Sequence, residues 1–253
     1  MTELGPGTAR PPRPSAPARA AALVLDLYRA ERDVWRAHYK GYFKTAARVL
    51  GLGFVAGFAF FLLRPAQEKR ALTFLLKSLG DIPLGAPPLV LALTLFYHNA
   101  RASLLAVAAG GLPFLCLPIL DPFVNGAALG LLASISKHQG LDVPLVFLKS
   151  VIPHGLFEVP AVLYATSAGL YLSVSLGRRV LARLRKRKAE GRAGAAPEPA
   201  GPAPTEGLAP DTGEPEAGVG GLVGQVARSF LLVVLPLLVV AAFVEAFITP
   251  LLR

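Results

Sequence analysis

Apolar segments about as long as a bilayer is thick recur along this chain, and they restrict its possible folds more than any other feature. Thr45 to Leu63 carries one charge, Arg48, near its start, and residues 88–110, 114–136, 154–177 and 228–249 are similarly apolar. A helix rises about 1.5 Å per residue, so roughly 20 such residues match a hydrocarbon layer about 30 Å thick. Inside that layer no water bonds the backbone, and a helix satisfies its N–H and C=O groups within one segment. The chain is 53% hydrophobic with a mean hydropathy of +0.53, which places it with membrane proteins rather than soluble domains. The expected fold is all-α: a polytopic transmembrane helical bundle of about five spans, with broken or re-entrant helices.

The segments between the spans differ in composition. Residues 1–20 are rich in Pro, Ala and Arg without an apolar centre, and read as a disordered N-terminus rather than a cleavable signal peptide. Residues 21–44 read as an interfacial amphipathic helix. Tyr28, Trp35, Tyr39 and Tyr42 fall near one face, with Arg29, Arg32, Arg36 and Lys40 on an adjacent strip. Residues 45–188 hold the first four spans, and the mixed-charge stretch 64–87 is expected to be an external loop or short surface helix. Asp121-Pro122 predicts a helix start, with Asp at the N-cap and Pro at the first helical position. The helix that follows is short for a full crossing, so segment 114–136 is read as spanning or re-entrant. Pro153 and Pro236 are expected to interrupt their helices and Pro160 to kink one. Residues 189–220, rich in Ala, Gly, Pro and Glu, read as a flexible linker before the final transmembrane helix at 221–253.

The formal net charge of +10 is clustered beside the spans. Arg29, Arg32, Arg36, Lys40, Lys44 and Arg48 precede the first span. Arg178, Arg179, Arg183, Arg185, Lys186, Arg187 and Lys188 follow the fourth, with no acid among them. Basic clusters at membrane ends act as topology signals and contact anionic lipid headgroups. Both clusters obey the positive-inside rule when the N-terminus is cytoplasmic in a multi-pass protein of the inner (cytoplasmic) membrane, with the linker on the same side. No nucleic-acid recognition motif accompanies them, so no nucleic acid is expected as a partner. The partners expected are the lipid bilayer and its anionic headgroups, other membrane or envelope proteins, and a second copy of the chain. Cys116 is the single cysteine, which excludes an intrachain disulfide or thiolate metal site.

Ionisable residues inside these apolar runs are the candidates for function. A charge at membrane depth costs roughly 2.5–3.5 kcal/mol on the lenient insertion scale. Pro153-His154-Gly155-Leu156-Phe157-Glu158 places His154 and Glu158 four residues apart, on one helix face. Ala161, Ala165, Gly169, Ser173 and Gly177 continue nearly the same face, and such small residues let another helix come close. The pair is therefore expected to point into the bundle. Gly53 with Gly57, and Asn125, Gly126, Gly130 and Ser134, form two further ladders. The other polar candidates are His98, Asn99, Arg101 and Glu245, with Arg101 expected to pair with Glu158 and Glu245. Pro88-Leu89-Val90 leads to His98 as Pro144-Leu145-Val146 leads to His154, a short echo of the kind internal repeats leave.

At these residues the sequence resembles the stage II sporulation protein M family of integral membrane proteins. The resemblance covers about residues 40–179 and the last span. It rests on His98-Asn99, on Asn125-Gly126 with Gly130, on Pro153-His154-Gly155 with Glu158-Val159-Pro160-Ala161, and on Ala241-Ala242-Phe243-Val244-Glu245-Ala246-Phe247. It implies a multi-helix membrane protein of about five spans with no established catalytic activity; no cofactor is expected. It also implies a scaffold role linked to envelope remodelling, since the namesake gathers peptidoglycan-degrading partners during engulfment. The Pro/Arg-rich N-terminus and the long linker depart from the compact family pattern. The expected function is thus a non-enzymatic scaffold or assembly factor, the alternative being a transporter or channel-like permease built on the Arg/His/Glu/Asn cluster. A zinc site on His154, Glu158, His98 and Glu245 is a weaker reading, because the HExxH pattern is absent.

Overall fold

The computed structural model describes residues 15–78, 86–193 and 218–252, and among them every regular element is helical. In chain order these are α1 (Ala16–Val34), α2 (Lys40–Leu63), α3 (Pro65–Ser78), α4 (Pro88–Ala109), α5 (Leu120–His138), α6 (Val143–Ser150), α7 (Ile152–Ala193), α8 (Val219–Ser229) and α9 (Leu235–Phe243). The described residues fall into two units divided between Ala37 and His38. In the first, α1 begins at Ala16 with Pro17 in its first turn, inside the stretch expected to be disordered. Residues 1–14 and 194–217 lie outside the described residues, so those parts of the expected disordered terminus and linker do too. Lys40 to Lys44, expected in the interfacial helix, form the start of α2.

The second unit is a helical bundle. Among the described residues five stretches are long and apolar enough to cross a membrane: one ending at Leu63, then Pro88–Ala109, Leu117–His138, Ile152–Glu190 and Val219–Leu252. Large apolar side chains line its outside, among them Leu52, Val55, Leu93, Leu104, Val124 and Val239. Hydrocarbon around the bundle solvates such side chains, so close packing rather than apolar burial holds the helices together.

That packing is tightest between α2 and α5. The helices run parallel, with Gly53 and Gly57 on one facing Phe123 and Ala127 on the other. Gly126 and Gly130 in turn face Leu50 and Phe54. The two small-residue ladders of the sequence are therefore two sides of one seam, close enough that backbone meets backbone. Helix α7 takes the centre and packs against α2, α4, α5, α6, α8 and α9. Its expected small-residue face is buried: Ala161, Ala165 and Ser173 are closed to solvent, Gly169 meets Ala106 and Pro118, and Gly177 meets the Phe114 ring.

Proline and loop chemistry shift several expected boundaries. The third span does not start at Asp121-Pro122. A 3₁₀ turn at Leu117–Ile119 with Pro118 near its start leads directly into α5, so Asp121 lies in the first turn, and the joined segment Leu117–His138 is long enough to cross. Phe114 and Cys116 take left-handed backbone angles, φ 72° and 47°, which let the chain reverse between α4 and that turn. Pro160 sits inside a helix that continues on both sides of it. Ahead of Pro236 the chain adopts a π-helical segment, Phe230–Val234, absorbing the hydrogen bond that proline cannot donate. The echo between Pro88–His98 and Pro144–His154 ends here. The first pair lies in one unbroken helix, while the second crosses the break at Val151 between α6 and α7.

Candidate functional site

The first turns of α7 carry His154 and Glu158 on one face, and the last helical stretch of the chain carries Glu245. A π-helical segment, Val244–Ile248, widens the turn on which Glu245 sits, and Thr249 Oγ1 donates to the Val244 carbonyl at 3.3 Å. His154 Nδ1 lies 2.6 Å from Glu245 Oε2, and both side chains are largely buried, 20% and 22% exposed. His154 Nε2 lies 4.0 Å from Glu158 Oε2, whose side chain is 31% exposed. The imidazole thus stands between two carboxyls, and its shorter contact ties α7 to the C-terminal helix.

Glu158 and His154 also line a cavity of about 280 Å³ between α2, α3, α5 and α7. Asn125 is the third polar group on its wall, and its Nδ2 donates to Asp121 Oδ1 at 3.3 Å. Gly155 lines the same space, with no side-chain atom nearer than 3.7 Å to where its Cβ would be. Pro153 serves the site from the first turn of α7 without touching it, a position at which its missing N–H costs nothing.

The structure thus assembles His154, Glu158 and Glu245, with Asn125 nearby, and places Gly126 in the α2–α5 seam. It does not bring Arg101 to them. Arg101 is exposed on α4, lining a shallow depression with Tyr97 and His98, and it makes no ion pair among the described residues. His98 is half-buried with its ring edge-on to Tyr97, and Asn99 is half-buried beside it. The expected neutralising arginine is therefore absent from the cluster: residues 98–101 run along α4 and cannot all turn toward α7. No group of three His, Cys, Asp or Glu side chains among the described residues is placed to hold a metal ion.

A second polar cluster was not expected from the sequence. Glu68 on α3 is buried, accepts from Ser134 Oγ at 2.5 Å and lies 2.9 Å from His138 Nδ1. The signal was present in the spacing. Glu68, Leu72 and Leu75 fall on one face of a helix, and Ser134 and His138 on one face of another. The stretch read as a loop or surface helix is thereby fixed to α5. Glu68→Ala leaves Ser134 and His138 without their acceptor and is expected to cost about 1–3 kcal/mol. Trypsin cleavage after Lys69, Arg70 and Lys77 should accelerate at least several-fold in the purified variant, and an unchanged rate would show that the contact does not hold α3.

Residues 46–250 match the family described as stage II sporulation protein M. No curated protein and no solved structure matches the chain.

Proposed function

The chain belongs to the stage II sporulation protein M family, and on that premise we propose that it is a non-enzymatic scaffold or assembly factor linked to envelope remodelling. It is a multi-pass integral membrane protein. The observation that carries the scaffold reading is the α2–α5 seam, where Gly53, Gly57, Gly126 and Gly130 each meet the backbone of the facing helix. Helices packed backbone to backbone cannot slide past one another without opening the contact, which suits a fixed platform.

We place it in the cytoplasmic membrane with its N-terminus in the cytoplasm. Supporting this is the basic stretch Arg178 to Lys188, which leaves the bundle as an exposed helix and, by alternation of spans, emerges on the N-terminal side. The partners proposed are anionic lipid headgroups at that stretch, envelope proteins, and further copies of the chain. In mild detergent, tagged protein should retain envelope proteins that a Glu158→Gln, Glu245→Gln double variant loses several-fold at equal loading. Equal retention would count against the reading.

One observation favours a second reading, a permease: the cavity beside Glu158 and His154 leaves the core open where a packed scaffold would be closed. Solute flux into proteoliposomes that His154→Ala abolishes would establish it, and a tight vesicle would dismiss it.

A further inference from the structure

Arg101 faces out of the bundle from within a span. Helix α4 is long and apolar enough to cross a membrane, and Arg101 lies about 20 Å from its Pro88 end and about 12 Å from its Ala109 end. The side chain is exposed and makes no ion pair among the described residues. Ionisable side chains at membrane depth are costly, and almost always face the bundle interior or pair with an opposite charge. Arg101 does neither within this chain. The residue belongs to a stripe. Leu93, Tyr97, Arg101, Leu104 and Leu105 follow one another at helical spacing, so they share one face of α4, and all five are exposed. His98 lines the same shallow depression as Tyr97 and Arg101, with its ring edge-on to Tyr97. The other face of α4, with Ala92, Ser103 and Ala106 buried, serves the contacts with α7 and α9. Side chains spaced in this way are the anchors that one helix offers another.

Charge decides what covers the stripe. Lipid tails leave a guanidinium unpaired. Headgroups serve arginines near helix ends, whereas Tyr97 and His98 lie a further turn into the span from Arg101 and would still face hydrocarbon. A second copy brings no acid, because those inside this chain's apolar runs are engaged within the bundle. Asp121 accepts from Asn125 at 3.3 Å, and Glu158 and Glu245 flank His154 at 4.0 and 2.6 Å. A two-fold contact through the stripe would also set two arginines in one interface. What matches is a carboxylate on another protein's span, which a guanidinium can hold through two parallel hydrogen bonds.

We propose that this face of α4 docks a transmembrane helix of a partner membrane protein, one that carries an aspartate or glutamate at the depth of Arg101. The leucines and Tyr97 pack along the partner helix while the guanidinium takes its carboxylate. A helix without an acid leaves Arg101 unpaired in hydrocarbon, so the charge selects among partners. The inference rests on the scaffold reading, and it names the surface by which the scaffold holds an envelope protein.

The test uses the full-length protein in phosphatidylcholine vesicles with a synthetic single-span leucine–alanine helix. The helix carries one glutamate near its midpoint and a photoreactive leucine beside it. Irradiation should crosslink it to α4 peptides about threefold to tenfold more than the same helix with glutamine. Arg101→Gln should bring the two helices level, and Arg101→Lys should keep part of the preference. Equal crosslinking of both helices to the unaltered chain, or a preference that survives Arg101→Gln, would overturn the proposal. Loss of the preference on adding phosphatidylglycerol would assign Arg101 to a headgroup instead, and a dimer in mild detergent that Arg101→Gln dissociates would assign it to a second copy. Should Arg101→Gln fail to elute as folded protein, the two helices compared on the unaltered chain decide the matter. Failure with these synthetic helices leaves the scaffold reading standing, whereas equal envelope retention by the Glu158→Gln, Glu245→Gln variant counts against the scaffold without touching this face.

Discussion

Gly126→Ala is expected to destabilise the protein by about 3 kcal/mol, the upper end of what overpacking usually costs. A Cβ there would fall on the Leu50 carbonyl and 2.8 Å from the Phe54 amide nitrogen. The neighbouring ladder positions are no more forgiving: at Gly130 the new carbon would stand 2.5 Å from the Phe54 oxygen, and at Gly57 2.7 Å from the Ala127 oxygen. Each obstacle is backbone, which no rotamer change can move aside, so α2 and α5 must separate. Helix propensity alone would favour the alanine by about 1 kcal/mol, and the seam reverses that sign. Gly51, the residue after Leu50, has nothing within 4 Å of its Cβ position. Gly51→Ala is therefore expected to leave stability unchanged or to raise it by up to about 1 kcal/mol. Thermal unfolding in detergent separates the two: Gly126→Ala should unfold about 6–12 °C lower and Gly51→Ala should not. Matching midpoints would mean that the seam does not hold the bundle.

His154→Ala should have the next largest effect, about 2–4 kcal/mol, because it leaves Glu245 largely buried beside an empty space. The informative measurement is a double-mutant cycle. Glu245→Ala alone should also destabilise, but the double variant should be less damaged than the two single losses added together. A coupling of about 1–3 kcal/mol is expected for residues in direct contact. Additive losses would show that the 2.6 Å contact contributes nothing to joining α7 to the last helix. Glu158, at 4.0 Å from the ring, should couple to His154 more weakly than Glu245 does.

The helical bundle and its five spans were legible because hydropathy and length act locally along the chain. The small-residue ladders were equally readable as contact faces, yet nothing in Gly53, Gly57, Gly126 and Gly130 said that they would meet one another. Pairing is a property of two helices at once, and one sequence reports each helix alone. The same limit explains the polar site. That His154 and Glu158 share a face follows from their spacing, and Glu245 was a natural partner because it lies on another span. Arg101 was assigned by charge complementarity, and it failed because its position on α4 turns it outward. Glu68 was overlooked for the opposite reason: it lies in a short polar helix that hydropathy marks as external, and only the fold brings it under α5. The start of α5 moved because Pro118 offers a second helix-initiating proline just ahead of Asp121-Pro122, and the earlier one begins the helical run.

Helix α7 runs unbroken for 42 residues, or about 63 Å, roughly twice the thickness of the hydrocarbon layer. It is clasped near its middle, where Gly169 meets Ala106 and Pro118. His154 lies about 22 Å to one side of that clasp and Lys188 about 29 Å to the other. The helix is therefore one continuous rod with arms of unequal length on either side of that contact. The arginine-rich arm is longer than the His154 arm by about a quarter. One helix thus carries the buried His154–Glu245 contact near one end and the arginine-rich stretch at the other.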